Sequence, residues 1–305
     1  MDTARQLAEK LRECLPGLKL TERAPLSCCT SLRLGGPADL LAEPSSQEEL
    51  QAVLTLAGET GTPVTVIGRG SNLLVRDSGV RGLVIRIAQR MRELSVEGCD
   101  LTAQAGASLS EAAALAQRNG LAGLAFASGI PGAVGGGAVM NAGAYGGELK
   151  DVVLWVEGIG PDGAVFRRAG TEMGFGYRAS RLQDEGGIVT RVGFRLRPGD
   201  PKEIAAEMAE LNERRRARQP LELPSAGSTF KRPEGHFAGA LIEGCGLKGF
   251  RLGGAQVSEK HAGFLVNVGG TARDFENLMN HVRRVVLEET GVALTPEVRV
   301  IGEEA

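Results

Sequence analysis

The sequence has few cysteines and histidines, and it has no long apolar run. Five Cys and three His occur in 305 residues, with no C-x-x-C spacing, so the pattern predicts neither a disulfide framework nor a zinc site. No apolar run approaches the roughly 20 residues that a transmembrane helix needs. The formal net charge of −2 gives no reason to bind nucleic acid or an anionic membrane. We expect a cytoplasmic, reduced protein without a metal, nucleic-acid partners or membrane insertion.

Glycine, in contrast, is abundant. The chain contains 44 Gly but no G-X-Y period, which excludes a collagen-like helix. Because glycine costs conformational entropy and adds no packing surface, this number favours backbone that passes close to a ligand. With 42% hydrophobic and 24% charged residues, the composition is that of a globular protein, and the length suggests two or three structural units.

Hydrophobic periodicity and capping residues predict a mixture of helices and strands. The capping boxes Ser46/Glu49 and Ser108/Glu111 open the second and third of the helices predicted over 3–14, 46–60, 108–120, 202–216 and 272–290. Strands are predicted over 38–42, 63–67, 83–87, 101–105, 152–158, 164–167, 188–196 and 298–301, and residues 73–75 form a short apolar run. Small residues dominate 120–147, which indicates shaped backbone rather than a packed element, and residues 198–201 indicate a linker.

The first Gly-rich segment, Gly68-Arg69-Gly70-Ser71-Asn72, follows a predicted strand. Its successive backbone N–H groups suit an anion-binding nest, and a tight hairpin turn is the alternative. Leu73 stands where a G-x-G-x-x-G dinucleotide fingerprint needs its last glycine, and the Gly-Lys-Ser/Thr of a P-loop is absent.

The second Gly-rich segment covers residues 129–137 and is stiffened by Pro131. A pyrophosphate or a planar ring can lie on amides that carry no side chains. A flexible surface loop is the alternative, but Ile130, Val134 and Val139 are too apolar for a solvated linker.

Three single residues are weaker signals. Arg178, between a Tyr and a Ser at a predicted strand exit, can hold a carboxylate bidentately, although a lone Arg is more often a surface residue. Ser228 has no His or Asp nearby in sequence, so no hydrolase triad is inferred. Glu297 begins the last strand, where a Glu is most often solvent-exposed. The residues alone therefore predict an enzyme that binds a phosphate-bearing cofactor through two Gly-rich loops.

Taken in order, six segments resemble the signatures of the UDP-N-acetylenolpyruvoylglucosamine reductases. They are GRGSNLLV, GIPGAVGGGAVMNAGAYGGE, GYRAS, QPLELPSAGSTFKRP, GGAQVSEKHAGFLVN and LTPEVRV. The resemblance runs from about residue 31 to Arg299. It implies an α+β protein with a vanillyl-alcohol-oxidase-type FAD fold of two subdomains, residues 1–83 and 84–199, and a substrate-binding domain over 200–305.

The resemblance also implies the reaction. NADPH would reduce noncovalently bound FAD, and the flavin N5 would pass hydride to the enolpyruvyl group of UDP-N-acetylglucosamine enolpyruvate, giving UDP-N-acetylmuramate for peptidoglycan. Arg178 and Glu297 match the residues that stabilise the enolate-like intermediate. Ser228 matches the residue that delivers the final proton.

The same resemblance assigns binding residues. The expected FAD contacts are Gly68, Gly70, Ser71, Asn72, Leu73, Pro131, Gly132, Val134, Gly135, Gly136, Arg215 and Arg299. The expected substrate contacts are Asn141, Tyr145, Lys231, Arg232 and Gln256. For Arg215, in a run of three Arg, a solvated helix end is the alternative.

The sequence departs from the family pattern in two places. Ala133 stands where Ser is more usual, which removes one hydroxyl contact to the cofactor. No inserted loop with an extra Tyr lies between Arg178 and Ser228, which resembles the shorter subgroup and leaves Arg232 as a candidate for the substrate diphosphate.

Two other functions are compatible with the Gly-rich loops. A flavin-dependent sugar oxidase or dehydrogenase of the same fold would keep both loops without needing Arg178, Ser228 and Glu297 together. A non-catalytic nucleotide-binding module would show no flavin turnover.

Overall fold

The structure of the protein, a computed structural model, describes residues 3–304. Its helices are α1 (Thr3–Cys14), α2 (Gln47–Thr60), α3 (Leu109–Arg118), α4 (Val134–Met140), α5 (Leu182–Glu185), α6 (Pro201–Arg218), α7 (Ala238–Gly244) and α8 (Ala272–Thr290). Its strands are β1 (Lys19–Pro25), β2 (Pro37–Glu43), β3 (Val64–Ile67), β4 (Leu73–Val75), β5 (Val80–Arg86), β6 (Leu94–Glu97), β7 (Asp100–Gln104), β8 (Leu121–Ala122), β9 (Gly143–Ala144), β10 (Gly147–Glu148), β11 (Val153–Ile159), β12 (Val165–Ala169), β13 (Ile188–Arg195), β14 (Arg197–Pro198), β15 (Ser225–Ser228), β16 (Arg251–Leu252), β17 (Ala255–Val257), β18 (Phe264–Asn267) and β19 (Arg299–Ile301).

The chain divides into two compact units that are discontinuous in sequence. Unit 1 takes in the described residues up to Thr21, then Leu40–Arg69 and Gly82–Arg215. Unit 2 takes in Glu22–Asp39, Gly70–Arg81 and the described residues from Arg216 onwards. The division between 83 and 84 that the resemblance implies within the cofactor-binding part stays a prediction.

Unit 1 contains β3 and parts of β1, β2 and β5 from a first sheet of strand order β1-β2-β5-β3, and the whole of a second sheet of strand order β12-β11-β13-β7-β6. β3 and β5 run parallel, whereas the neighbours in the second sheet are antiparallel. Apolar side chains at helical spacing, such as Leu7 and Leu11 of α1 and Leu50 and Val53 of α2, are fully buried in its core. Each such side chain stabilises the fold by about 1.5–3 kcal/mol relative to an exposed one.

Unit 2 is built on the sheet β15-β18-β17-β16 and on the pair β19-β4. The sheet packs against α8, whose Phe275, Leu278 and Val282 are fully buried at the spacing of one helix face. The Asp77 carboxylate accepts hydrogen bonds of 3.0 Å from the first two backbone N–H groups of this helix, where a negative charge also favours the helix dipole.

Most predicted elements are confirmed within two or three residues. The capping box Ser108/Glu111 forms at α3. At α2, Ser46 caps the Glu49 N–H as predicted, but the Glu49 carboxylate accepts from the N–H of Ser45, one residue earlier than a reciprocal box requires.

Two predictions of irregular structure are wrong. The small-residue region contains α4, whose Val134, Gly135, Gly137 and Ala138 are buried, because small residues let a short helix pack where larger ones would not fit. Residues 198–201 are not a linker, since Pro198 lies in β14, paired with β8, and Pro201 begins α6, a position where its missing N–H costs nothing.

No helix within residues 3–304 combines the length and the apolar character needed to cross a membrane.

Candidate functional site

The first Gly-rich loop is held by backbone contacts that require a glycine at position 70. Gly70 adopts φ +67°, and a Cβ at this position would overlap the Cys29 carbonyl oxygen. The Gly70 carbonyl accepts the Ser31 N–H at 3.1 Å. In unit 1, a Cβ on Gly68 would lie 3.5 Å from the Ala133 side chain, so the strand end at Gly68 adjoins the second Gly-rich segment. Packing of the backbone against other segments of the same chain therefore explains the glycine at position 70 without a ligand.

The second Gly-rich segment docks on the residues that lead into α3. Val134 and Gly135 donate their N–H groups to the carbonyls of Ala107 and Ala105 at 2.8 and 2.9 Å. A Cβ on Gly135 would stand 2.7 Å from the Ala105 Cβ, so this glycine serves packing. These two N–H groups are therefore not bare amides, contrary to the expectation for the whole segment.

The open face of this segment is at Gly136. This residue is exposed, and a Cβ built on it meets no heavy atom of the described residues within 4 Å. Pro131 is likewise exposed and Gly132 is half-buried. The side chain missing at Gly136 thus leaves room for a ligand rather than for the protein.

Arg69, between the two glycines of the first loop, is a functional candidate that the sequence prediction missed. Its Nη1 atom is buried and has no hydrogen-bond partner within the described part of the chain. Glu111 lies 3.8 Å from that nitrogen, and hydrogen bonds from Ser108 lower the pKa of the Glu111 carboxyl. A buried guanidinium N–H that has no hydrogen bond among the described residues and lies beside a Gly-rich loop suits an anionic cofactor. The sequence signal that could have identified Arg69 is its position as a cationic residue between two glycines, Gly68 and Gly70.

Arg178 was predicted at a strand exit, but it lies in a tight turn. The turn is closed by reciprocal backbone hydrogen bonds between Gly176 and Ala179, and Arg178 itself has φ +54°. Its Nη2 donates to the Gly143 carbonyl at 3.1 Å, and its own carbonyl accepts from the Gln183 amide at 3.0 Å. The guanidinium is therefore held by its neighbours while remaining half-exposed.

Asn141 holds the Arg178 turn through the Gly176 carbonyl and is itself bonded to Glu148. Asn141 is fully buried and donates its amide to Glu148 at 3.0 Å and to the Gly176 carbonyl at 2.9 Å. The hydrogen bond from Lys150 lowers the pKa of the Glu148 carboxyl, and Asn141 and Arg178 act in the same direction. Asn141 thus has a structural role, and its direct contact with substrate stays a prediction.

Arg215 differs from the exposed arginines on either side of it. It lies against the start of the second Gly-rich segment, where a Cβ on Gly129 would be 3.0 Å from the Arg215 Cδ. The neighbouring Asn212 donates to the Ser128 hydroxyl at 3.2 Å. Burial lowers the pKa of Arg215, while the nearby Tyr145 acts in the opposite direction. A solvated helix end therefore describes its neighbours but not Arg215.

In unit 2, the segments that carry Ser228 and Glu297 are joined by backbone hydrogen bonds. Ser228, at the end of β15, is exposed and pairs with Phe264 of β18. The carbonyl of the next residue, Thr229, accepts the Glu297 N–H at 2.8 Å. A hydroxyl and a carboxyl that lie far apart in sequence are thereby placed on neighbouring chain segments.

Asn72 connects the first Gly-rich loop to the same place. Its side-chain amide donates to the Glu297 carbonyl at 3.0 Å, and its own carbonyl accepts the Arg299 N–H at 3.0 Å. The parallel pairing of β19 with β4 then sets Arg299 opposite Leu73. Unit 2 therefore brings together the predicted residues Ser71, Asn72, Leu73, Ser228, Glu297 and Arg299.

The three substrate-contact candidates of unit 2 occupy the surrounding surface. Lys231 donates its backbone N–H to the Thr295 carbonyl at 2.8 Å. This bond fixes Lys231 beside the residue that lies two positions before Glu297. The Arg232 guanidinium lies 3.9 Å from the centre of the exposed Phe237 ring. Gln256 lies half-buried on β17. Their contacts with a substrate stay predictions.

Two family models match the chain. The FAD binding domain matches residues 38–168, and the C-terminal domain of UDP-N-acetylenolpyruvoylglucosamine reductase matches residues 219–301. A UDP-N-acetylenolpyruvoylglucosamine reductase of Pediococcus pentosaceus is 48% identical over 97% of this chain and 99% of its own length. The protein of the same name from Limosilactobacillus fermentum is 50% identical over the same shares.

A crystal structure of UDP-N-acetylenolpyruvylglucosamine reductase from Thermus caldophilus is similar in fold. It has a TM-score of 0.79 and 40% identity, and the match covers 93% of this chain and 98% of that chain. These findings confirm the resemblance, the α+β fold with its FAD-binding domain, the FAD cofactor and the assignment as an oxidoreductase. By these matches, the chain belongs to the UDP-N-acetylenolpyruvoylglucosamine reductase family.

Proposed function

We propose that this chain reduces the enolpyruvyl double bond of UDP-N-acetylglucosamine enolpyruvate with NADPH as electron donor, and that Arg178, Ser228 and Glu297 carry the chemistry. The observation that supports these roles most directly is the 2.8 Å hydrogen bond between the Glu297 N–H and the Thr229 carbonyl. It sets a hydroxyl proton donor and a carboxyl on adjoining segments.

Bound FAD supplies the hydride that adds to the terminal carbon of the enolpyruvyl group. As that carbon gains hydride, negative charge develops toward the substrate carboxylate, where the Arg178 guanidinium stabilises it. A preorganised charge of this kind contributes about 3 kcal/mol in a site that excludes water.

Ser228 then donates its hydroxyl proton to the carbon next to the carboxylate. A serine hydroxyl is a weak acid, but the carbanion-like centre is strongly basic, so the transfer is favourable. In the proposed scheme, Glu297 stabilises the developing charge as a neutral acid that donates a hydrogen bond to it. The residue is fixed through both its backbone N–H and its carbonyl.

Four groups fit the cofactor. In unit 1, the open face at Gly136, the half-buried Gly132 and the Arg69 Nη1, which has no hydrogen-bond partner among the described residues, offer space and a positive charge, and the resemblance adds Gly70. We propose that they hold the FAD pyrophosphate, together with the other loop residues named from the resemblance. Arg69 then provides a polar contact where Ala133 lacks the hydroxyl that is usual in the family.

Gly136→Ala tests whether the cofactor lies on the open face of α4. Because alanine stabilises a helix relative to glycine by roughly 0.5–1 kcal/mol and meets no protein atom here, we expect an unchanged or higher melting temperature of the FAD-free protein. The FAD dissociation constant should rise at least about tenfold, which is about 1.4 kcal/mol. Flavin fluorescence titration measures the constant.

Gly58→Ala is the matched control for that variant. Gly58 also lies in a helix, α2, and a Cβ there also meets no heavy atom of the described residues within 4 Å. It should stabilise the protein by a similar amount and leave FAD affinity unchanged. Equal FAD affinity of Gly136→Ala and wild type would place the cofactor elsewhere.

The reaction is tested with the purified protein under anaerobic conditions. NADPH should bleach the flavin absorption, and UDP-N-acetylglucosamine enolpyruvate should restore it. Bleaching without recovery would keep the flavin fold and point to another acceptor, as expected for a different flavin-dependent dehydrogenase. A protein that binds FAD but is not reduced by NADPH or NADH would favour the non-catalytic alternative.

A further inference from the structure

We propose that Thr229 and His261 are positioning residues that set the geometry of Ser228 and Glu297 for the protonation step. The inference rests on the catalytic roles proposed above for those two residues. It concerns a chain of hydrogen bonds that lies wholly within unit 2 and connects the two catalytic segments through β18.

Thr229 is the centre of this chain. It is fully buried, and its N–H donates to the Gly263 carbonyl at 2.9 Å. Its hydroxyl oxygen accepts the Leu265 N–H at 3.1 Å, and its carbonyl accepts the Glu297 N–H at 2.8 Å. One residue therefore ties the position after Ser228 to β18 on one side and to Glu297 on the other.

The Thr229 hydroxyl has a specific role, because it accepts a hydrogen bond that a purely apolar side chain could not accept. A buried backbone N–H needs an acceptor, and at Leu265 the Thr229 side chain supplies it. Pairing of Ser228 with Phe264 leaves the Leu265 N–H facing this side chain. A residue of the same shape without a hydroxyl would leave that N–H unsatisfied and loosen the pairing beside Ser228.

His261 fixes the other end of the chain. Its Nδ1 accepts the Gly263 N–H at 3.1 Å, and the carbonyl of that same glycine accepts the Thr229 N–H. The ring also meets the edge of Phe264, the partner of Ser228, at a centroid distance of 5.0 Å. Burial and the nearby Lys248 lower the pKa of His261, although Glu243 acts to raise it, and this favours a neutral ring. The hydrogen bond from the Gly263 N–H then selects the tautomer in which Nδ1 is the acceptor.

Two glycines make room for this ring. A Cβ on Gly239 would lie 3.1 Å from the His261 Cε1, and a Cβ on Gly263 would lie 3.0 Å from the same atom. The half-buried imidazole therefore lies between Gly239 of α7 and Gly263 of its own loop. A ring held in this way, which accepts one defined hydrogen bond, acts as a positioning support.

Thr229→Val and Thr229→Ser form the first test. Valine keeps the shape and removes the hydroxyl, whereas serine keeps the hydroxyl. Because a displacement of about 1 Å can slow catalysis by roughly 100-fold, we expect Thr229→Val to slow reoxidation of the prereduced flavin by substrate between roughly 10- and 100-fold. Reduction by NADPH should remain at the wild-type rate, and Thr229→Ser should restore most of the reoxidation rate.

His261→Leu and His261→Asn form the second test. The Asn side-chain oxygen occupies nearly the position of Nδ1 and can accept the Gly263 N–H, whereas Leu cannot accept it. Reoxidation should therefore be slow in His261→Leu and largely recovered in His261→Asn. Equal rates in the two variants would show that the ring acts by bulk alone and would overturn its positioning role.

Amide hydrogen exchange gives a readout that does not depend on turnover. In Thr229→Val, the Glu297 N–H should exchange faster than in wild type, while amides of the α1 and α2 helices in unit 1 keep their rates. Unchanged exchange at Glu297 together with wild-type reoxidation would refute the proposal for Thr229.

A double-mutant cycle separates this proposal from the proposed function. If Thr229 acts through Ser228, then Thr229→Val should have little further effect in a Ser228→Ala background. Full additivity of the two substitutions would overturn the positioning role. A wild-type protein that substrate does not reoxidise would instead refute the proposed function, and the exchange rate at Glu297 would then decide whether Thr229 holds that segment.

Discussion

Ser228→Ala is expected to abolish efficient reoxidation of the reduced flavin by substrate while leaving reduction by NADPH unaffected. A general acid contributes typically 10²–10⁴-fold to a rate, so reoxidation should fall by about that factor. The side chain is exposed at the end of β15, so its removal costs little folding stability. Stopped-flow absorbance under anaerobic conditions measures the two half-reactions separately.

Ser228→Cys is the control that retains a proton on the side chain. It should recover part of the reoxidation rate, because a thiol can donate a proton and has a lower ordinary pKa than a hydroxyl. If Ser228→Ala reoxidises at the wild-type rate, another group delivers the proton and the assignment is wrong. If both half-reactions slow together, the serine acts on cofactor binding instead.

The elements that the sequence predicted well are those specified by nearby residues. The capping box at Ser108 and Glu111 sets the start of α3 within four residues of chain, and its hydrogen bonds form as expected. The α8 helix is predicted from 272 to 290 and is found over Ala272–Thr290, since an apolar stripe of period 3.6 is a local signal.

The region from 120 to 147 shows where local reasoning fails. Glycine at 135 and 137 looked like bare backbone for a ligand, yet a Cβ on Gly135 would press on Ala105 and one on Gly137 on Leu109 and Leu149. The sequence does not reveal whether an absent side chain makes room for a ligand or for the protein, because that depends on what packs against it. Of the three α4 glycines at 135, 136 and 137, Gly136 is the one at which a Cβ would meet no heavy atom of the described residues within 4 Å.

The candidate site depends still more on contacts between distant segments. The bonds that link Thr229 to Glu297 and Asn72 to Glu297 join residues with no shared local pattern. The resemblance assigned roles to Ser228 and Glu297, but it assigned none to Thr229, His261 or Arg69, although all three lie within its motifs. These three residues are found only when a buried donor or acceptor is traced to its partner, or to the absence of one among the described residues.

Arg178→Met is expected to have the second large effect. Removing one preorganised charge from a site of developing negative charge costs about 10²–10³ in rate, so reoxidation of the reduced flavin should slow by that factor. The substitution also removes the contact with the Gly143 carbonyl, but Asn141 and Gln183 still hold the turn through backbone carbonyls. The melting temperature should therefore change little.

Arg181→Met is the matched control, because it removes an arginine three residues away. Arg181 is about half exposed and pairs with Glu185 at 3.4 Å, a surface contact of small energetic value. Both half-reactions should proceed at wild-type rates in that variant. Arg178→Lys keeps the charge but loses the planar fork that binds a carboxylate bidentately, so it should recover only part of the rate. Full recovery by Lys would show that Arg178 contributes a point charge without oriented hydrogen bonds, and a wild-type rate in Arg178→Met would remove it from the catalytic group.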